Sequence, residues 1–80
     1  PAIKAAYIRH PDLLESLTHR EMDVLLLLLD RPSNKEIAAQ LNISTETVKR
    51  HMVNLFRKLH VDNRRQAIVQ ARVMGLLPPP

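Results

Sequence analysis

The chain of 80 residues has no cysteine, no tryptophan, a single glycine, and only two aromatic side chains, Tyr7 and Phe56. Without cysteine there is no disulfide framework and no thiolate metal site, which fits a reducing compartment. Two scattered aromatics offer no platform on which single-stranded bases stack, so sequence-specific RNA reading is disfavoured. The longest apolar run, Val24 to Leu29, is far shorter than the roughly 20 residues of a membrane-spanning helix. No signal-peptide pattern is present. The histidines are His10, His19, His51 and His60. None pairs with a carboxylate at metal-ligand spacing, and there is no glycine-rich phosphate loop or paired-acid constellation. No catalytic site, metal or cofactor is therefore expected. His51 reads as a partly buried helical residue.

What is abundant is positive charge, and it is unevenly placed. The formal net charge is +4, yet Ser44 to Arg72 alone holds seven cations against Glu46 and Asp62, a local excess of five. A field of one sign favours a polyanion or an anionic surface. At this length the chain holds one domain at most. It begins with Pro1 rather than methionine, which fits a piece of a longer protein.

Helix starts are marked by caps. Thr18-His-Arg-Glu21 and Ser33-Asn-Lys-Glu36 are capping boxes, in which the hydroxyl and the carboxylate satisfy backbone N–H groups reciprocally. Ser44 caps a third helix, with Glu46 in its first turn where the helix dipole favours an anion. Asn63-Arg-Arg-Gln66 resembles a fourth box. Helix one is expected to stop by Asp30, because Arg31 precedes Pro32. The last helix ends at Gly75, where a left-handed cap needs glycine. No stretch alternates with period two, so strands are not expected. The reading is all-α: a lead-in over 1–16, a four-helix bundle over 17–77, and a proline tail over 78–80. The lead-in is either irregular or helical, with Ile3, Tyr7 and Ile8 sharing a face in the second case.

Asn42, between Leu41 and Ile43, suits a corner with a left-handed residue. Ala38 is small enough for close approach of the next helix, and Ile37, Leu41, Ile43 and Val48 can close a common core. This is helix-turn-helix spacing. Along the third helix Val48, Met52, Leu55 and Leu59 fall in one narrow sector. The opposite side carries Glu46, Arg50, Val53 and Arg57, with Lys49 on one shoulder and Thr47, Asn54 and Lys58 on the other. Such a face suits the major groove: Arg and Lys reach guanine O6 and N7, and Val meets a thymine methyl. The polar shoulders suit phosphate oxygens. A basic face on an amphipathic helix is also compatible with a merely solvated surface.

Five segments in order carry a family resemblance: Leu-Thr-x-Arg-Glu, Asn-Lys-Glu-Ile-Ala, Thr-Val-Lys-x-His, Lys-Leu-x-Val and Asn-Arg-x-Gln-Ala. Together they closely resemble the LuxR-type (GerE-like) DNA-binding domain of bacterial transcription regulators, over about Leu17 to Leu77. The resemblance implies a four-helix LuxR-type helix-turn-helix bundle whose third helix, about 45–60, enters the major groove of double-stranded DNA. It implies base contacts by Lys49, Arg50 and Val53. Backbone contacts are implied for Asn34, Lys35, Ser44, Thr45, Thr47, Asn54 and Lys58. A homodimer on DNA is implied through Asn63, Arg64, Ala67, Ile68 and Ala71 of the fourth helix. Ala67 and Ala71 have an alternative, packing inward on helix one.

Two departures stand out. The link after helix one is Asp30-Arg31-Pro32 where relatives often carry glycine, and position 53 is Val where relatives are often polar. The chain's ending looks most like the large MalT-like regulators, with receiver-bearing response regulators as the other parent. Activation of transcription and location in the bacterial cytoplasm, on the nucleoid and away from membrane, follow as expectations. The rival reading is a protein-interaction module that contacts RNA polymerase or a regulatory partner and binds DNA only non-specifically.

Overall fold

In the computed structural model, which describes residues 7–8 and 13–80, four helices each begin at a side-chain oxygen. At α1 (His19–Leu27), Thr18 Oγ1 accepts the Glu21 N–H at 3.0 Å and Glu21 Oε1 accepts the Thr18 N–H at 2.9 Å. Ser33 and Glu36 close the same reciprocal box at α2 (Asn34–Leu41), at 3.1 and 2.9 Å. Ser44 Oγ accepts the Thr47 N–H at 3.1 Å to open α3 (Thr45–Leu59). The start of α4 (Arg64–Val73) differs from the expected box. Asn63 Oδ1 caps Gln66, but the Gln66 amide oxygen takes the N–H of Asp62, one residue earlier.

Helix ends share one device. Asn42, His60 and Gly75 all adopt left-handed backbone, at φ 56°, 59° and 78°. Behind each, the next N–H reaches five residues back: Ile43 to Ala38 at 3.0 Å, Val61 to Phe56 at 3.0 Å, and Leu76 to Ala71 at 2.8 Å. These are Schellman closures, which satisfy carbonyls that a bare helix end leaves open. The end of α1 follows another route. It tightens into a 3₁₀ turn over Leu28–Asp30, and Arg31 then turns left-handed at φ 55° as its N–H donates to Leu28. Helix one thus stops before Pro32 as expected, but Arg31 takes the conformation glycine adopts freely rather than the extended one common before proline.

The lead-in corrects an expectation. Tyr7–Ile8 (β1) pairs antiparallel with Leu17–Thr18 (β2), Tyr7 opposite Thr18 and Ile8 opposite Leu17. Tyr7 and Ile8 are therefore extended, not helical; Ile3 lies outside the described residues. Two residues per strand are too few to leave an alternating pattern, and the architecture remains all-α.

The apolar stripes of the helices meet in one core. Val48, Met52, Leu55 and Leu59 of α3 are buried, as their spacing requires, against Val24, Leu25 and Leu28 of the first helical segment and Ile37 and Ala38 of α2. Leu41 and Ile43 pack partly buried at the corner. Ala67 and Ala71 bring α4 onto this core, and Leu17 enters it from β2.

One polar pair crosses the bundle. Lys58 Nζ lies 2.7 Å from Glu21 Oε1 and donates to the Ser16 carbonyl at 2.9 Å, with the two side chains only 9% and 4% exposed. Removing one partner of a buried ion pair leaves a desolvated charge behind, which costs about 3–5 kcal/mol. Glu21→Ala should accordingly destabilise the domain by about that amount in urea denaturation; a change within about 0.5 kcal/mol would show that the pair is not a buried contact. His60→Gly should instead stabilise by about 0.5–1 kcal/mol, because glycine carries no Cβ penalty in left-handed backbone.

Candidate nucleic-acid interface

The corner sets the geometry of the site. Asn42 bears the left-handed turn, and two residues later Ser44 already caps α3. The hydroxyls of Ser44 and Thr47 lie 2.9 Å apart, so the start of α3 presents a small cluster of oxygens beside unpaired helical N–H groups. That end of a helix favours an anion. Ser44 is exposed, and Thr45 and Thr47 are half-buried.

Beyond this cap the outward face of α3 carries Glu46, Lys49, Arg50, Val53 and Arg57, all exposed. Lys49 lies 3.6 Å from Glu46 in a solvent-washed pair one turn apart, which holds the ammonium only loosely. Arg50 makes no ion pair among the described residues. Val53 is 66% exposed, an apolar side chain with no packing role. Lys49, Arg50 and Val53 thus stand together in solvent on one face.

The expected backbone-contact residues divide. Lys35 is exposed at the start of α2, and Asn54 is half-buried on the shoulder of α3. Asn34 accepts a hydrogen bond from the Arg64 guanidinium, which also donates to the Pro32 carbonyl. Lys58 lies on the right shoulder of the helix by periodicity, but its ammonium is turned inward onto Glu21 and Ser16. It braces α3 instead of standing free for a phosphate. Arg57 is likewise engaged, by an ion pair with Glu15 that holds the Glu15 carboxyl below its ordinary range through a direct hydrogen bond.

On α4, Ala67 and Ala71 are fully buried in the domain core, which is the inward alternative for these two. Ile68 is half-buried against the core, Arg64 is tied to α2, and Asn63 is the exposed cap. The outward side carries instead Val69 and Val73, 55% and 77% exposed. Sequence reasoning missed this pair, though its signal is simple: valines four apart lie on one helical face, away from the alanines. The partners of Lys58 and Arg57, 37 and 42 residues away in the chain, left no such signal.

His51 sits between the two faces of α3. Burial, then the neighbouring Arg50 guanidinium, push its imidazole below the ordinary value, with Glu21 opposing and Arg20 adding to the depression. Among the described residues no group of His, Asp and Glu side chains could hold a metal, and no helix is long and apolar enough to cross a membrane.

Comparison with known proteins places this geometry. The family described as GerE, bacterial regulatory proteins of the luxR family, matches residues 15–71. The response regulator protein VraR of Staphylococcus aureus is 44% identical over 63 residues, 79% of this chain and 30% of VraR, and VraR of Staphylococcus epidermidis matches equally. The chain thus spans about a third of the length of these curated relatives. Among solved structures, the response regulator ChrA of a heme-sensing two-component system superposes with a TM-score of 0.76 at 44% identity, over 79% of this chain and 31% of ChrA. The transcription factor GerE superposes with a TM-score of 0.71 at 43% identity, over 76% of this chain and 91% of GerE.

The titration of His51 has a defined sign. Well above its ordinary value of about 6.5 the residue is neutral both folded and unfolded. As the pH falls from there toward the depressed folded value, the unfolded chain binds the proton first and stability is lost. The melting temperature should therefore fall between about pH 7 and 5, and His51→Gln should flatten that slope. Parallel profiles would remove His51 as the cause.

Proposed function

We propose, for a chain that belongs to the luxR family of bacterial regulatory proteins, that the N-terminal half of α3 reads base edges in the major groove. The chain itself is a DNA-binding domain of a transcription regulator, not an enzyme. The observation that carries the major-groove reading is the solvent face of Lys49, Arg50 and Val53, set on a helix whose other side is locked in the core. Lys49 and Arg50 donate to guanine O6 and N7, and Val53 contacts a thymine methyl. Ser44, Thr45 and Thr47 at the helix start, with Lys35, Asn34 and Asn54 around it, contact phosphates and set the register. Lys58 supports this arrangement from inside.

Two copies pair on DNA through the outer side of α4, with Val69 and Val73 as the apolar centre and Asn63 at the cap. Arg65 and Arg72 flank that stripe, so like charges keep the contact weak off DNA. Half-sites then lie about one helical turn apart, roughly 34 Å. The family's commoner outcome is activation in the bacterial cytoplasm, with RNA polymerase as a further partner, and this chain is read the same way. Response regulators among its relatives support a receiver-bearing parent over a MalT-like one.

Selection from randomised duplex DNA near physiological salt tests the reading. An ordered motif repeated about one turn apart is the expected result; a pool that stays unenriched, or no binding at all, would overturn it. On the selected site Arg50→Ala should lose about 1–3 kcal/mol of discrimination at one base pair. Lys35→Ala should weaken all sequences alike and reduce the slope of log affinity against log salt by about 1.

A further inference from the structure

A groove of about 710 Å³ runs between the 3₁₀ turn that follows α1 and the side of α4. Its walls hold four guanidinium groups, those of Arg31, Arg64, Arg65 and Arg72, and no carboxylate. Among the described residues none of the four makes an ion pair. Two of them are nevertheless fixed in place by neutral acceptors. Arg64 donates to the Pro32 carbonyl and to Asn34, and Arg72 Nε donates to the Pro78 carbonyl at 3.1 Å. Carbonyl oxygens orient a guanidinium without neutralising it, so the groove keeps its field and loses part of the ordering cost that binding would otherwise carry. Between the arginines the floor is apolar, formed by Leu29, Ile68 and Val69.

We propose that this groove docks an acidic amphipathic segment of a partner protein, in which Asp or Glu residues flank apolar side chains. Carboxylates meet the guanidinium walls in the planar, two-pronged geometry that arginine favours. The apolar side chains of the segment cover Leu29, Ile68 and Val69. The groove shares Arg65, Val69 and Arg72 with the side of α4 proposed to pair two copies on DNA; off DNA, charge complementarity selects the acidic segment, because a second copy would bring arginine against arginine. The floor selects it over nucleic acid, because a phosphate backbone offers no apolar surface to bury there. The site is distinct from the exposed face of α3 and does not depend on how that face reads DNA.

The probe is a fluorescein-labelled peptide of about 15 residues, roughly 22 Å if helical, built from Glu, Asp, Leu and Phe in amphipathic order. Its anisotropy is followed as the 80-residue chain is added, beside an all-Glu peptide of equal length and a duplex DNA. Saturable binding of the amphipathic peptide is expected, about tenfold tighter than the all-Glu peptide. The double variant Arg31→Gly, Arg65→Gln should weaken that binding by about fivefold or more, while affinity for a duplex with a single half-site, which needs no pairing of copies, falls less than it does in Arg50→Ala. Glycine suits the left-handed backbone at position 31, so the fold is retained, and Arg65→Gln alone provides a second variant on an exposed side chain. The proposal is overturned by equal binding of the all-Glu peptide, by a variant that binds the amphipathic peptide unchanged, or by no saturable binding. Loss of duplex affinity as steep as in Arg50→Ala would assign the groove to nucleic acid.

Discussion

A single carboxylate oxygen, Glu21 Oε1, carries two jobs on which the arrangement of the helices depends. It accepts the Thr18 N–H that closes the cap of α1, and it accepts Lys58 from the far half of α3. Through Lys58 and the Ser16 carbonyl, the same pair fixes the stretch entering β2. Burying two charges carries a large desolvation penalty, which geometry of this quality offsets through the pair itself and the added hydrogen bonds. What the pair contributes is register: α3 can slide or roll against α1 only by uncovering a charge. Together with the buried stripe Val48, Met52, Leu55 and Leu59, this contact sets the direction in which the outer face of α3 points.

That contact also divides α3 into two halves. Arg57 and Lys58, the basic residues of its last turns, are engaged by Glu15 and Glu21. Lys49 and Arg50, two turns earlier, remain in solvent. The helix thus uses the buried Lys58 as scaffold and presents Lys49 and Arg50, while Arg57 shares an exposed pair with Glu15. Affinity for a polyanion depends on cations that can be neutralised at the surface, so the charge count of the helix overstates the charge it presents. The same distinction holds on α4, where Arg64 is tied to α2 while Arg65 stands exposed beside Val69.

The helix ends show why the bundle can be built from short links. Asn42 and His60 turn the chain left-handed within one residue, and each next residue returns an N–H five positions back. The hydrophobic side chain following the turn, Ile43 or Val61, then packs against the core. Asn tolerates this backbone through local hydrogen bonding. His, like Asn, is enriched in this region among non-glycine residues, and the Schellman bonds together with Val61 packing hold His60 there. The corner before α3 and the closure after it are therefore the same piece of chemistry with different residues.

Much of this was legible in the sequence, because it rests on local chemistry. Caps at Thr18, Ser33, Ser44 and Asn63, the left-handed Asn42 and Gly75, and the buried stripe Val48-Met52-Leu55-Leu59 follow from side chains that act within one or two turns of themselves. Helical period placed Arg50 and Val53 on the outside with Lys49 on one shoulder, and the family resemblance singled out the three. Two extended residues of the lead-in were too short to leave a pattern. Only the tertiary structure decided which cations remain free, because Lys58 and Arg57 find their carboxylates on segments far away in the chain. It alone turned Ala67 and Ala71 inward and left Val69 and Val73 outside, since periodicity defines the faces of a helix but not which of them the core will cover.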